Sequence, residues 1–433
     1  MTKIIEKPFW WEDALPVDLP DAEMPKRTDA LVIGGGFAGL MAALELRKAG
    51  VEVTLLEKHW PGHGASSRNC GFLMRSVKGT ISSDLNSLFH GVKRSELLLE
   101  GRKAHDSVLD LIEREDIYCG LRQRGRLVMA TSKSAFQTME SSLEEQDKHL
   151  GKLDAYMLSQ EDLHTEMGGR ASEMYYGAKV EPKHYDLNPG QLAAGMIQRI
   201  SELGVTICSA TQLESVEPQP NGNFRVKTDK GDITAEHVVW ATQGYSGAET
   251  GPLQKKIFPA LAHAAVTEPL PKDLLEELLP NLRAVVDTKQ MFFCFRPCDK
   301  DARLVMASDY FRMDDGITQA NRILKSYRKL FPQLNDIKAE YCWKGYIPTT
   351  SDELPHIWKN EGMHYCASSS FSMAIYLGSK MAKRILNAGD TETVFDNMTT
   401  PNFPFYSGNP SLITRIVKNV FNGLDYLNVA VPK

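Results

Sequence analysis

The sequence lacks any long uninterrupted apolar run. Among its 433 residues no stretch approaches the ~18 apolar residues that a membrane span requires. Residues 1–13 are polar, with Lys3, Glu6 and Lys7 where a secretory signal would be apolar. We therefore expect a soluble, cytoplasmic protein without a spanning segment.

Blocks of basic residues are also missing. The chain carries 50 Lys and Arg against 55 Asp and Glu, a formal net charge of -5, with both signs spread along its length. Binding to a nucleic-acid backbone needs clustered positive charge. We expect no nucleic-acid partner.

Cysteine is sparse and shows no pairing pattern. Its seven copies are an odd number and include no CxxC spacing. Cys294 and Cys298 are the only close pair, and no nearby histidine completes a zinc ligand set. Reduced thiols and no structural metal are the expectation.

What the chain does have is a dinucleotide-binding pattern over residues 28–57, where an apolar strand, a glycine-rich turn, a helix and a second strand follow in order. Gly34 permits the turn, Gly36 lets backbone amides reach a diphosphate, and Gly39 lets the helix pack closely against its strand. Glu57 ends the second strand, where a carboxylate accepts hydrogen bonds from ribose hydroxyls and disfavours NADP. FAD and NAD both remain open from this segment.

Periodicity predicts further elements along the chain. Helices are expected over 96–115 and 134–150, with a strand over 123–131 between them. Asn188 and Pro189 form an N-cap and first turn for a helix ending at Gly204. Four short strands between 205 and 235 read as an antiparallel meander, followed by an apolar strand running into Gly244.

Several segments, taken together, resemble the D-amino-acid oxidase-like family of FAD-dependent oxidoreductases, nearest in pattern to its γ-glutamylputrescine oxidoreductase and glycine oxidase members. The likeness covers most of the chain. The segments that carry it, beyond the glycine-rich unit, are 64–72, 188–192, 238–244, 267–270 and 343–352.

This resemblance implies an α/β (α+β) fold with non-covalent FAD. A glutathione-reductase-type FAD-binding Rossmann domain would take residues 28–90, 178–250 and 345–400. A discontinuous antiparallel-sheet substrate domain would take 91–177 and 251–344. Outside them we expect an N-terminal arm over 1–27, with an exposed aromatic cluster at 9–11, and a C-terminal amphipathic helix extension over 401–433.

The same resemblance, with the glycine-rich pattern, implies a set of FAD contacts. Small side chains in the 64–72 loop let amides and hydroxyls approach phosphates, and Arg68 adds positive charge. Leu213 matches the position whose backbone contacts the adenine. The expected contacts are Gly34, Gly36, Phe37, Ala38, Gly39, Glu57, Lys58, Ser66, Ser67, Arg68, Asn69, Cys70, Gly71, Phe72, Leu213, Thr242, Gly244, Ser369, Ser370, Phe371, Ser372 and Met373.

Residues 368–370 are three serines leading into a helix over 371–386 that stops at Gly389. Serines there can cap the helix and bond to the flavin. The family usually has a longer, glycine-rich loop at this place, so a second hypothesis stays open, namely a flavoprotein scaffold or tailoring protein without ordinary amine oxidation. An NAD-linked dehydrogenase is a third.

Family members oxidise a C–N bond by hydride transfer to flavin N5, and two departures narrow this chemistry. Ile347 stands where amino-acid oxidases of the family carry the arginine that clamps the substrate carboxylate. Gly345 stands where some members carry a flavin-bound cysteine. We expect a primary or secondary amine without a free α-carboxylate as substrate, with the imine hydrolysed afterwards and the electron acceptor, oxygen or another, left open.

Aromatic residues on two strands suit a cationic or neutral amine. The expected substrate pocket comprises His263, Phe293, Arg296, Trp343 and Tyr346. Alternatively, Phe293 and His263 pack in the core and Arg296 lies on the surface. The apolar spacing over 413–424 predicts a helix that docks on the body or, as the sharper alternative, contacts a membrane surface.

Overall fold

The computed structural model describes residues 4–14, 22–77, 88–150, 154–289, 293–298, 300–308, 314–403, 406, 414, 418–419 and 423. The predicted C-terminal helix therefore falls almost entirely outside the described residues. Within them, no helix is both long and apolar enough to cross a bilayer.

The strands are, in chain order, β1 (Arg27–Ile33), β2 (Val53–Leu56), β3 (Phe72–Leu73), β4 (Leu88–Phe89), β5 (Val92–Lys93), β6 (Arg126–Met129), β7 (Tyr156–Ser159), β8 (Gly177–Glu181), β9 (Tyr185–Asp186), β10 (Thr206–Cys208), β11 (Leu213–Pro218), β12 (Phe224–Thr228), β13 (Gly231–Trp240), β14 (Phe258–Thr267), β15 (Ala284–Asp287), β16 (Cys294–Cys298), β17 (Arg303–Ser308), β18 (Ala339–Thr349), β19 (His356–Asn360) and β20 (Met363–Ala367). The helices are α1 (Phe37–Lys48), α2 (Arg94–Arg114), α3 (Lys133–Leu150), α4 (Ala171–Met174), α5 (Pro189–Glu202), α6 (Pro252–Lys256), α7 (Lys272–Leu278), α8 (Gly316–Leu330) and α9 (Phe371–Leu386).

The first sheet is built around the predicted glycine-rich unit. Strands β10, β2, β1 and β13 lie side by side and parallel, and β20 joins β13 in parallel at its far end. Helix α1, which follows β1, is buried along most of its length and packs against α5 and α9. The predicted strand, turn, helix and strand are confirmed.

The predicted meander is only partly right. Strands β11, β12 and β13 do form antiparallel pairs. The segment at 206–208 instead becomes β10, which follows α5 and lies parallel to β2 at the opposite edge of the sheet. The strands predicted at 233–235 and 237–241 are one strand, β13, which pairs antiparallel with β12 and parallel with β1.

The second sheet has the order β18-β14-β17-β16-β15-β6-β8-β7 and is antiparallel except where β15 meets β6. One of its faces looks toward the first sheet, and the other packs on α8 and the core around Phe295 and Tyr327. The domain boundaries stay a prediction, but those at 177/178 and 344/345 fall inside β8 and β18. Both strands belong to the second sheet by their hydrogen-bonded register.

Helix ends follow local chemistry. Asn188 caps α5 as predicted, its side chain accepting from the backbone N–H groups of Gly190 and Gln191. Helix α9 ends at Asn387, which takes the left-handed conformation, two residues before the predicted stop at Gly389.

The aromatic cluster of the N-terminal arm was expected to be exposed, and this is wrong, since two of its residues are buried and the third, Trp11, is half-buried. Phe9 and Trp10 are each 1% exposed. The indole N–H of Trp10 donates to the carbonyl of Asn69 at 2.8 Å, and its ring lies 4.8 Å from the guanidinium carbon of Arg296. The arm therefore fastens the 64–72 loop to the second sheet.

Removing this anchor is expected to destabilise the fold strongly. Trp10→Ala should lower the free energy of unfolding by about 3–5 kcal/mol, because a fully buried indole leaves a cavity and its partners lose a hydrogen bond. Chemical denaturation of the wild type and the variant measures this. Tyr118→Ala, at an exposed position, is the control and should lower the free energy of unfolding by less than about 1 kcal/mol. Equal losses in the two variants would show that the buried indole of the arm stabilises the fold no more than an exposed side chain does.

A buried histidine makes the stability depend on pH. His364 on β20 is 5% exposed, and burial, with the nearby positive charge of Lys359, lowers its pKa to about 4. In the unfolded chain the same ring titrates near ~6.5, so the unfolded state binds the proton first as the pH falls.

Lowering the pH from 7 to 5 should therefore reduce the free energy of unfolding by about 2 kcal/mol. In this range the His364 ring gains a proton in the unfolded chain but stays neutral in the folded protein. His364→Gln should flatten that part of the pH profile of urea unfolding. The exposed His164→Gln variant should leave the slope unchanged, and an unchanged slope in His364→Gln would refute the assignment.

Candidate active site

A continuous cleft of about 960 Å³ runs between the two sheets. Its lining includes the glycine-rich turn, the ends of β1 and β2, the 64–72 loop, the start of α9 and one face of the second sheet. Its volume lies near the upper end of the range that is typical of small-molecule and cofactor sites.

The glycine-rich turn cannot accept side chains. Gly34 has φ +105°, and a Cβ there would lie 2.9 Å from the backbone of Ala241. A Cβ on Gly39 would lie 1.9 Å from the carbonyl oxygen of Gly34. This close approach places the N-terminus of α1, beginning at Phe37, at the wall of the cleft, where its dipole favours an anion.

Glu57 lies in the cleft lining at the end of β2, as predicted. Its Oε2 accepts from the backbone N–H of Gly35 at 2.8 Å, and Oε1 accepts from the backbone N–H of His59 at 2.9 Å. A carboxylate accepts up to about four hydrogen bonds, so capacity for ribose hydroxyls remains. Leu213 and Lys58 line the same end of the cleft.

The 64–72 loop brings Ser66 and Arg68 to the middle of the cleft. Ser66 Oγ accepts from the backbone N–H of Phe37 at 2.8 Å, so the loop and the α1 terminus are joined. Arg68 donates through Nε to the carbonyl of His63 at 2.7 Å. Burial and the charge of Arg68 lower the pKa of His63 to about 4, so at neutral pH the positive charge at this point is the guanidinium.

Three predicted cofactor contacts lie beside the cleft without lining it. Ser67 donates to the carbonyl of Gly62 at 2.7 Å and accepts from the indole of Trp11 at 2.9 Å, which turns its hydroxyl away. Gly71 has φ +76°, and a Cβ there would meet the carbonyl of Leu187 at 2.0 Å. These two, with Gly39, shape the cleft through packing.

All the other predicted contacts line it, namely Gly34, Gly36, Phe37, Ala38, Glu57, Lys58, Ser66, Arg68, Asn69, Cys70, Phe72, Leu213, Thr242, Gly244, Ser369, Ser370, Phe371, Ser372 and Met373.

Two of the three serines before α9, Ser368 and Ser370, form hydrogen bonds with each other and with nearby residues. Ser368 Oγ accepts from the backbone N–H of Ser370 at 3.2 Å, and Ser370 Oγ lies 2.8 Å from Ser372 Oγ. Ser370 is the N-cap, but no side chain caps the helix there, contrary to the predicted serine cap. The first turn of this 16-residue helix faces the cleft with its dipole directed into it.

Helices α1 and α9 cross at close range. A Cβ on Gly378 would lie 2.3 Å from the carbonyl oxygen of Ala38. The helices therefore touch backbone to backbone, and the first residues of both line the same cleft. These polar groups fit FAD. The Glu57 carboxylate would accept hydrogen bonds from the ribose, the N-terminus of α1 would bind the diphosphate, and the N-terminus of α9 would face the pyrimidine edge of the flavin.

On the second sheet a row of cross-strand partners forms the floor of the cleft. We call it the cleft row, and its members are Trp343, Ala264, Ala307, Cys294, Val286 and Val128. Tyr346 and His263, both predicted, also line the cleft. Trp343 is fixed by donation from its indole N–H to the carbonyl of Arg68 at 2.8 Å.

Phe293 and Arg296, assigned to the substrate pocket from the sequence, do not line the cleft. The Phe293 ring stacks on Tyr327 at 3.9 Å, on the opposite face of the sheet. Arg296 is 4% exposed and donates to the carbonyls of Cys70 and Leu187, with Asp186 as its ionic partner. Its role is to hold the 64–72 loop on the sheet.

Sequence reasoning missed the cleft-lining residues that β6 and α3 contribute. Among them are Arg126, Val128, Thr131, Ser134, Ala135 and Met139. Their only local signals were the apolar strand over 123–131 and the helix over 134–150. The pairing of β6 with β15, which brings the strand residues to the cleft, depends on residues far away in the chain.

A family model described as FAD dependent oxidoreductase (DAO) matches residues 29–384. The chain belongs to this family. Gamma-glutamylputrescine oxidoreductase of Escherichia coli (strain K12) is 27% identical over 391 residues, covering 88% of each chain. Glycine oxidase of Bacillus licheniformis is 23% identical over 376 residues, covering 84% of this chain and 94% of its own.

Among solved structures, L-proline dehydrogenase from P. horikoshii superposes with a TM-score of 0.68 at 19% identity, covering 90% of this chain and 99% of its own. The predicted DAO fold, with its Rossmann-type FAD domain, is confirmed. Membership of the DAO family also decides between the two cofactors left open by the glycine-rich unit. The protein is an FAD-dependent oxidoreductase of the class that acts on amines and amino acids.

Proposed function

We propose that the protein oxidises the C–N bond of a primary or secondary amine whose reacting carbon bears no carboxylate, and that the resulting imine is hydrolysed. Bound FAD would supply the hydride acceptor for this reaction, its N5. The observation that carries the proposal is Ile347 on the cleft wall.

Ile347 lies on β18, paired with Ala260 of β14, and its half-buried side chain packs with the apolar cluster around Phe258. The family resemblance expects a carboxylate-binding arginine at this position. An α-carboxylate placed against Ile347 would lose its water without gaining a bidentate partner, which costs several kcal/mol. An amine without that group pays no such penalty.

The other residues that line the cleft near Ile347 favour the neutral form of an amine, which is the form that reacts. Trp343, Tyr346, Ala262 and Ala264 present largely apolar surface to the cleft. Desolvation lowers the pKa of a bound amine, so its neutral form, which can release hydride from the adjacent carbon, is populated. The N-terminus of α9 stabilises negative charge at its end of the cleft.

Turnover products test the reaction. N-methylbutylamine, incubated with FAD-loaded enzyme and an electron acceptor, should give an aldehyde and an amine, detectable by derivatisation and mass spectrometry. The gamma-glutamylputrescine oxidoreductase named above supports amines as the class, since its name specifies an amine compound.

Norvaline is the matched comparison, because it is butylamine carrying an α-carboxylate. A 2-oxo acid from norvaline, formed faster than butanal from butylamine, would overturn the assignment of substrate class.

A further inference from the structure

Arg126 opens onto the cleft at the end of the second sheet that lies away from Ile347. It is on β6, on the same face as Val128 of the cleft row, and five strands from β18 in the sheet order. At ~4.8 Å per strand, β6 and β18 are roughly 24 Å apart across the sheet. The residue is only 4% exposed.

Its guanidinium is incompletely satisfied. Nε donates to Glu181 Oε2 at 2.7 Å, and Nη2 also pairs with this carboxylate. Among the residues that the structure describes, Nη1 meets only the sulfur of Met74, at 3.0 Å. A guanidinium has five N–H donors and a thioether is a weak acceptor, so donor capacity remains on the side where Met74 lines the cleft.

The charges around Arg126 do not cancel. Lys179, 3% exposed, places Nζ 2.8 Å from Glu181 Oε1, so two cations share one carboxylate. Burial alone would raise the pKa of Glu181, but Arg126 and Lys179 lower it below its usual value and keep it ionised. Burial lowers the pKa of the neighbouring His184, which adds no charge at neutral pH.

The three charged groups therefore carry a net positive charge in a poorly hydrated place, where an anion is strongly favoured. The N-terminus of α3, an 18-residue helix, adds to this potential, since Ser134 and Ala135 of its first turn line the same part of the cleft.

We propose that Arg126 binds a carboxylate at the remote end of the amine substrate. Preferred substrates then carry an amine at one end and a carboxylate at the other, separated by a chain, with none on the reacting carbon. This rests on the proposed function and specifies its substrate class.

The test compares ω-amino carboxylates of increasing length, from 5-aminopentanoate upward, with their carboxamides. At the best length kcat/KM should be about tenfold or more higher for the carboxylate, mainly through KM, because a charge-assisted bidentate pair is lost in the amide. Arg126→Met should abolish the preference, and Arg126→Lys should retain part of it. Glu181 keeps Lys179 as its partner in Arg126→Met, so the variant is expected to fold.

Lys183→Met is the control for a general loss of positive charge, since its ammonium pairs with Asp154 at the surface. A readout without turnover is thermal stabilisation by pimelate, which wild type and Lys183→Met should show and Arg126→Met should not.

Equal kcat/KM for carboxylates and carboxamides at every length would overturn the role of Arg126 while leaving amine oxidation intact. If no amine reduces the flavin, the proposed function fails instead, and pimelate binding decides the Arg126 site alone: no stabilisation of the wild type overturns it.

Discussion

Replacing Gly39 with alanine should weaken FAD binding at least a hundredfold. The added Cβ would lie 1.9 Å from the carbonyl oxygen of Gly34 and 3.1 Å from Cγ1 of Val32. The first contact is with backbone, which cannot rotate away, so α1 must move off β1. The N–H groups at the start of α1 then leave the position where a diphosphate binds.

The measurement is FAD affinity by flavin fluorescence, together with the visible absorbance of the purified protein. We expect at least a hundredfold loss of affinity, or about 3 kcal/mol. Gly423→Ala is the matched control, because no atom of the described residues lies within 4 Å of its added Cβ. Wild-type affinity in Gly39→Ala would show that the tight approach of α1 to its strand does not govern cofactor binding.

Ile347→Arg should turn the selectivity of the site toward α-amino acids. The guanidinium would enter the cleft from β18 and offer the bidentate carboxylate partner that isoleucine lacks. Hydrogen bonds to charged groups contribute about 1.5–3 kcal/mol. The ratio of kcat/KM for norvaline to that for butylamine should therefore rise by roughly ten- to a hundredfold.

Ile347→Met provides the control, since it changes shape without adding charge at the same place beside Phe258 and Ala260. The ratio in this variant should stay near that of the wild type. A rise of similar size in both variants would mean that space rather than charge had kept amino acids out.

Local sequence patterns were enough to predict the features whose structure depends on residues nearby in the chain. The turn at Gly34 and the cap at Asn188 are decided within a few residues, and both were predicted. Glu57 followed from its place at the end of a strand. Gly34 and Glu57 are predicted cofactor contacts, and both line the cleft.

What the sequence could not reveal depends on pairing between distant segments. The face to which a strand residue points alternates, so one step separates Cys294 in the cleft row from Phe293 on the opposite face. Trp10 is buried only because the arm crosses Asn69 and Arg296, far along the chain. Arg126 reaches the cleft only through the pairing of β6 with β15.

The most direct measurement is anaerobic reduction of the FAD-loaded protein by butylamine and by norvaline, followed at the visible flavin band. Bleaching by butylamine should be faster than bleaching by norvaline at equal concentration, since Ile347 gives the α-carboxylate no partner. Bleaching by norvaline with no response to butylamine would contradict the proposed chemistry of this cleft.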